Sequence, residues 1–303
     1  MIKKSILLII IIAILVTIVA CRPVRMNDLE EEPTIKVELE TGDIKEIGLE
    51  GYVEGVVAAE MEEGWPEDAY AAQAIKARTF ALKWFEEHDE DVISAKHEET
   101  QVYAPEAIKP KIKEAVNKTR GEVIKYQGEY INAWFHASAA GQTTSAQVGL
   151  AYDEAEPPYI TSVESPDNLA PDDIQNWQVE LSQENIISAL EEAGENVSTI
   201  EEIEILSRDE TERVIDMKFV YPEGSKKLQG AEFRTLLGPD ELKSILIREI
   251  KEVEGGFEFH GSGWGHGVGM SQWGANKLAQ DGKSPEEIIN YYFADVEIVK
   301  LWE

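Results

Sequence analysis

Cysteine is almost absent from this 303-residue chain, and the single thiol, Cys21, excludes any intrachain disulfide. Stability must therefore come from an ordinary hydrophobic core, for which the length is ample. Positive charge is scarce as well: 28 lysines and arginines face 59 aspartates and glutamates, a formal net charge of −31. Nothing in that balance supplies the basic footprint that neutralises phosphates, so nucleic acid is not an expected partner. Histidines number five. His97-Glu98-Glu99 has no second histidine at helical spacing, which removes the zinc-protease motif.

The first 21 residues, MIKKSILLIIIIAILVTIVAC, carry a basic start at Lys3 and Lys4 and an apolar run from Ile6 to Ala20. That run is short for a membrane span, which needs about 20 residues. Ile18-Val19-Ala20-Cys21 resembles the lipobox of bacterial lipoproteins. The resemblance implies that residues 1–20 are a signal peptide, that Cys21 is the lipidation site, and that residues 21–33 tether the chain to the outer face of the cell membrane. The alternative is an uncleaved N-terminal signal anchor with Cys21 a chance residue. Both readings send the rest of the chain outside the cytoplasm.

The stretch Leu49 to Leu82 carries the most chemical information. Val53, Val56, Val57 and Glu60 fall at i, i+3, i+4 and i+7, one stripe of a helix, so Glu60 is expected on an apolar face. A desolvated carboxyl keeps its proton near neutral pH, as a general acid must. The competing reading is a glutamate at a helix end that reaches water or pairs with a base. Trp65-Pro66 breaks this helix and opens a second one, rich in alanine and therefore thin, with Glu67 and Asp68 near its positive end. Arg78 shares a face with Ala71, Ala74, Ile75 and Leu82, a semi-buried cation that needs an acceptor, either a structural ion pair or a substrate.

Elsewhere the periods alternate between two and 3.6, the mark of an α+β fold of mixed helices and antiparallel strands. Strands are expected at Thr34 to Leu39, returning through Ile44 and Ile47, and at Glu122 to Tyr126 and Tyr130 to Phe135, with a helix over Pro110 to Thr119 between them. The last of these strands delivers His136-Ala-Ser138 into small polar residues, a common place for a binding site. His136 reads as a satisfied core histidine, a sugar contact or a metal ligand. Residues of about 172–250 read as a scaffold: strands near 176–181, 200–207 and 214–220, a helix over Gln183 to Ala193, and helical turns on both sides of a Gly-Pro break within Leu228 to Leu246. In Phe257 to Ala275, glycine occupies positions 261, 263, 265, 267 and 269. In an extended segment this strips one face of side chains, either as a floor for a flat ligand with Trp264 and His266 beside it, or as a tight crossing of backbones. Helices from Ser271 and over Pro285 to Tyr292 and a closing strand at Val296 to Leu301 complete the chain.

These motifs, taken in order, resemble the stage II sporulation protein D family, which includes amidase enhancers. They are Val57-Ala-Ala-Glu60-Met61, Trp65-Pro66, Ala72-Gln-Ala-Ile-Lys-Ala-Arg78-Thr79, Phe135-His136-Ala-Ser138, Gly230-Ala-Glu-Phe-Arg234 and Gly263-Trp-Gly-His-Gly-Val-Gly-Met-Ser-Gln-Trp-Gly-Ala275. The resemblance implies a domain over residues 34–303 with a glycan-binding cleft, acting as a peptidoglycan lytic transglycosylase on peptide-stripped strands in sporulation or wall turnover. It puts Glu60 at the family's catalytic glutamate and gives no cofactor. Arg78, His136, Ser138, Trp264, His266 and Gln272 are then candidates for holding the sugar. A cell-wall amidase is the implied partner, and a non-catalytic amidase activator is the rival function. The chain departs from the family where Glu62 replaces a proline and where His136-Ala-Ser138-Ala-Ala-Gly141 loses hydroxyls. No cysteine follows Cys21, so the zinc some members hold is not expected, and the lipobox differs from the sporulation protein's membrane anchor.

Overall fold

The computed structural model describes residues 29–303 apart from 40, 89 and 96–99. The signal segment, Cys21, most of the tether and His97-Glu98-Glu99 lie outside the described residues. Ile35 and Val37, both buried, alternate along β1 (Thr34–Glu38), and the chain returns antiparallel as β2 (Ile44–Gly48) with Ile35 opposite Ile47. Then come α1 (Leu49–Glu60) and α2 (Glu67–Glu87), with Pro66 just outside α2 as its N-cap. The alanines at 69, 71, 72, 74, 77 and 81 are fully buried, so α2 is a thin central rod. The charged segment after it holds an unanticipated strand, β3 (Val92–Ser94), parallel to β1 on the edge opposite β2.

Next are α3 (Pro110–Lys118), β4 (Glu122–Tyr126) and β5 (Glu129–Tyr130). Tyr130 to Phe135 is not one strand, contrary to expectation. After Tyr130 pairs with Lys125 the chain leaves β4; the Asn132 N–H turns to the Tyr159 hydroxyl at 2.8 Å and the Ala133 carbonyl to the Lys76 ammonium at 2.9 Å. Only Phe135 and His136 are extended again, as β6 (Phe135–His136).

Short helices α4 (Ala146–Gly149) and α5 (Asp172–Gln175) lead to a second core. It is built from β7 (Trp177–Ser182), α6 (Gln183–Glu192), β8 (Glu202–Arg208), β9 (Val214–Tyr221), β10 (Gly224–Gln229), α7 (Gly230–Leu237), β11 (Ile247–Val253) and β12 (Gly256–Gly261). Its two antiparallel sheets have the orders β10-β9-β8 and β11-β12-β7. Leu228 belongs to β10, φ of +97° at Gly238 ends α7, and the expected single turn follows the Gly-Pro break, the Gly238 carbonyl accepting from the Glu241 and Leu242 N–H groups at 3.3 and 3.4 Å.

The chain then rejoins the first core. β13 (Met270–Ser271) pairs in parallel with β6, α8 (Gln272–Gln280) and α9 (Pro285–Tyr292) pack on α2, and β14 (Glu297–Lys300) lies against β4. The protein is α+β. Among the described residues no helix is long and apolar enough to cross a membrane.

Candidate active site

Glu60 is the last residue of α1; Met61 is already extended, and its N–H still closes on the Val57 carbonyl at 3.2 Å. The stripe of Val53, Val56 and Val57 is fully buried, whereas Glu60 at its end is half-buried. It opens onto a cavity of about 490 Å³ walled by Glu62, Glu63, Gly64 and Tyr70 on one side and by Lys109, Lys111 and Ile112 on the other. Two segments distant in sequence hold it. The Val102 N–H donates to the carboxylate at 3.3 Å, and the Gln272 side-chain amide donates to the Glu60 main-chain carbonyl at 3.0 Å. Trp273, beside Gln272, meets Trp65 edge-on with ring centroids 4.8 Å apart, so the start of α8 is wedged against the break between α1 and α2.

The start of α8 is itself fixed. Ser271 caps it, accepting from the Gly274 N–H, and donates to the buried carboxylate of Asp167. Asp167 also accepts from Ser165 at 3.1 Å and from the Gly141 N–H at 3.2 Å, and Ser165 meets the Tyr292 hydroxyl at 2.9 Å. A Cβ on Gly274 would lie 2.0 Å from that hydroxyl, so the glycine is required by the packing of this network.

The alternating glycines resolve into the backbone crossing, not the open floor. Gly263, Gly265, Gly267 and Gly269 all have positive φ, between +69° and +103°, so the segment is not an extended strand. Cβ atoms there would meet the Ser138 carbonyl, His136, Arg213 and the Trp134 carbonyl, each at 2.4–2.8 Å. Three of these four stripped positions face the protein's own 134–140 segment. Ser138 and Trp264 exchange two main-chain hydrogen bonds of 3.0 Å across this seam, and the Ser138 side chain is buried, accepting from the Ala140 N–H. Trp264 is half-buried, with the Lys243 ammonium 4.8 Å from its ring centroid.

His136 donates from Nδ1 to the Val268 carbonyl at 3.1 Å, which leaves Nε2 a buried acceptor with no partner. Burial holds this ring far below the ordinary histidine range. The His266 ring lies 5.5 Å away and its Nδ1 accepts from the Val268 N–H. Burial, then the charge of Arg234, pushes it down to about 3. Both rings are neutral at physiological pH. Among the described residues no three histidine, cysteine or acidic side chains converge as a metal site.

The substrate-contact reading of Arg78 is corrected. Its guanidinium is fully buried and grips Glu50 twice, at 3.1 and 2.6 Å, while a third bond of 2.7 Å reaches the Glu122 carbonyl. Glu50 in turn accepts from the Gly121 N–H and the Trp302 indole, both at 3.0 Å. Arg78 is thus a structural cation, committed to the fold on every side.

Sequence reading passed over Lys76. It is fully buried on α2, bound to the Ala133 carbonyl and 3.5 Å from the centroid of the Phe135 ring, and burial lowers its pKa while the charge of Glu60 opposes that shift. The available signal was a single lysine on the alanine-lined face of α2. Asp167 gave none, because it stands in a proline-punctuated connection without a period.

A carboxyl at a helix end, fixed by main-chain contacts and facing an open cavity, is the core of this α+β architecture. The profile of a family described as stage II sporulation protein matches residues 38–126, and one described as a domain of unknown function matches residues 146–269. An uncharacterized protein of Brachyspira hyodysenteriae is 32% identical over 261 residues, which are 84% of this chain and 68% of that protein. Stage II sporulation protein D of Bacillus amyloliquefaciens is 30% identical over 275 residues, 84% of this chain and 75% of its own. The amidase enhancer of Bacillus subtilis is 24% identical over 288 residues, 80% of this chain and 39% of the enhancer. The chain belongs to the stage II sporulation protein D family.

Proposed function

We propose that this protein is a lytic transglycosylase of peptidoglycan, cleaving the bond between N-acetylmuramic acid and N-acetylglucosamine in peptide-stripped strands. The observation that carries the reading is the position of Glu60: half-buried at the end of α1, its carboxylate met by the Val102 N–H, and facing a cavity of about 490 Å³. The Val102 N–H then stabilises the carboxylate left after proton transfer. In the first step Glu60 protonates the glycosidic oxygen as the C1–O bond breaks. The muramoyl 6-hydroxyl attacks C1, and the Glu60 carboxylate takes its proton, giving a 1,6-anhydro end without consuming water. Because the nucleophile is tethered to the same sugar, one carboxyl suffices where hydrolases use two.

The lipobox-like Ile18-Val19-Ala20-Cys21 supports an extracytoplasmic lipoprotein on the outer membrane face, where wall strands are met. The amidase enhancer relative supports cooperation with a wall amidase. The deciding experiment is mass spectrometry of soluble products from peptide-stripped strands, for wild type and Glu60→Gln. Anhydro-ended fragments from wild type alone are expected. Reducing-ended fragments would mean a hydrolase, with Glu62 or Glu63 as the second carboxylate, and intact binding without fragments from either protein would mean an amidase activator.

A further inference from the structure

A second concavity lies where the two cores meet, and it shares no lining residue with the cavity of Glu60. Two adjoining hollows of about 420 and 300 Å³ have Ala140, Gly141, Ser165 and Pro166 in common and together form a groove. Gln142, Arg213 and Tyr291 line the larger hollow, Asn176 and Arg248 the smaller. From this lining we infer that the groove is a second saccharide-binding site, which holds a strand of N-acetylated amino sugars away from the reacting bond.

Three features point to that ligand. Tyr291 is one of three large hydrophobic side chains exposed to solvent among the described residues, at 39%. It is nonetheless fixed, because its hydroxyl donates to the Glu164 carbonyl at 2.8 Å and its ring meets Tyr292 edge-on at 5.2 Å. A rigid exposed ring in a polar groove is a platform for the C–H face of a pyranose and loses little entropy on binding.

Second, the guanidinium of Arg213 is 2% exposed and donates to the Gln142 and Ala139 carbonyls and to Thr211, each at 2.8 or 2.9 Å, while its Nε has no partner. Burial lowers it to about 10, so it stays charged at neutral pH; the Asp209 carboxylate is close, accepting from the Arg213 main-chain N–H at 2.9 Å and from the Thr211 hydroxyl, but makes no direct ion pair with the guanidinium. Arg248, exposed, donates to the Asn176 side chain at 2.8 Å and likewise has no carboxylate partner among the described residues. In a chain of net charge −31, the exposed Arg248 leaves guanidinium donors on the groove for uncharged oxygens such as acetamido carbonyls and hydroxyls, while the surrounding field repels a polyanion.

Third, the groove is coupled to the acid. Asp167, on its wall, accepts from Ser271, which caps the helix whose Gln272 holds Glu60. A strand seated in both places would be held at two points, which raises its effective concentration at the cavity.

The inference rests on the glycan reading of the cavity and is tested separately from it. Calorimetric titration of the full-length chain with tetra-N-acetylchitotetraose, in the Glu60→Gln background to prevent turnover, should give saturable binding. Adding Tyr291→Ala should weaken it about tenfold and Arg248→Ala about fivefold, whereas Lys45→Ala, exposed on β2 and lining neither the groove nor the cavity of Glu60, should change it less than about twofold. Both groove residues are exposed, and unchanged melting curves would verify that the fold is kept. Binding insensitive to Tyr291 and Arg248, or none up to about 10 mM, overturns the inference. Anhydro-ended fragments accompanied by groove-independent binding would sink this site and leave the lytic reading standing. Groove-dependent binding without fragments would do the opposite.

Discussion

Gln272 reaches across 212 positions of sequence to donate its side-chain amide to the main-chain carbonyl of Glu60 at 3.0 Å. That carbonyl is one of the last of α1, a group the helix itself cannot satisfy. The contact fixes where the helix stops and hence where the carboxyl points. Replacing Gln272 with alanine should lower kcat about tenfold and leave KM within about twofold, because positioning is lost while sugar contacts persist. The unfolding free energy should fall by no more than about 1.5 kcal/mol for one lost hydrogen bond. An unchanged kcat with that same loss of stability would make the contact purely structural.

The buried pair of Glu50 and Arg78 is expected to matter for folding and not for substrate. Arg78→Met or Glu50→Gln leaves the other partner buried without its counter-charge, at a cost of about 3–5 kcal/mol in denaturant unfolding. The double variant should lose clearly less than the two single losses combined, because no lone charge remains. Strict additivity would contradict the coupling.

Neutral His136 and His266 give the fold an acid-sensitive component. Both rings titrate lower in the folded chain than in the unfolded one, so their contribution is fully present above about 6.5 and is lost as pH falls toward the folded value, about 3 for His266. Where the unfolded chain binds two more protons, stability declines by about 2.7 kcal/mol per pH unit from these rings alone. Asp167, raised by burial, acts in the opposite sense. Proton NMR of the imidazole C–H resonances isolates the histidines: neither should titrate above pH of about 5, and a midpoint near 6.5 would refute the assignment.

Gly267 is tested by a single methyl group. At φ of +79°, with a Cβ position 2.6 Å from the Arg213 Nε, Gly267→Ala combines backbone strain with a clash against a buried cation. A loss of about 2–4 kcal/mol in unfolding free energy is expected. Gly282, also left-handed but with nothing within 4 Å, should lose only about 1–2 kcal/mol as alanine. Equal losses at both positions would show that the clash contributes nothing.

Local periodicity made α1, α2, α3, β4 and α9 legible, because their apolar spacing is set within one element. β3, β10 and β11 were not legible, because none carries an apolar period of its own. β3 is three residues long, β10 buries only Leu228, and β11 buries only Ile247, so each is a strand chiefly because a neighbour pairs with it. The same division runs through the site. Glu60 was readable from its stripe, while Val102, Lys76 and Asp167 acquire their places from partners 42 or more residues away or from an irregular loop. The glycine run announced positions without a Cβ but not the sign of φ, and that sign decides between a flat floor and a backbone crossing.

Trp302 donates to Glu50, 252 positions earlier in the first turn of α1, and β14 completes the sheet begun by β4. Gln272 and the β6–β13 pairing come from the same late part of the sequence. During synthesis, the helix that carries the acid leaves the ribosome long before the residues that lock it. The nascent chain therefore holds this helix without its partners until that later segment has been made, and removing the segment would release both ends of α1.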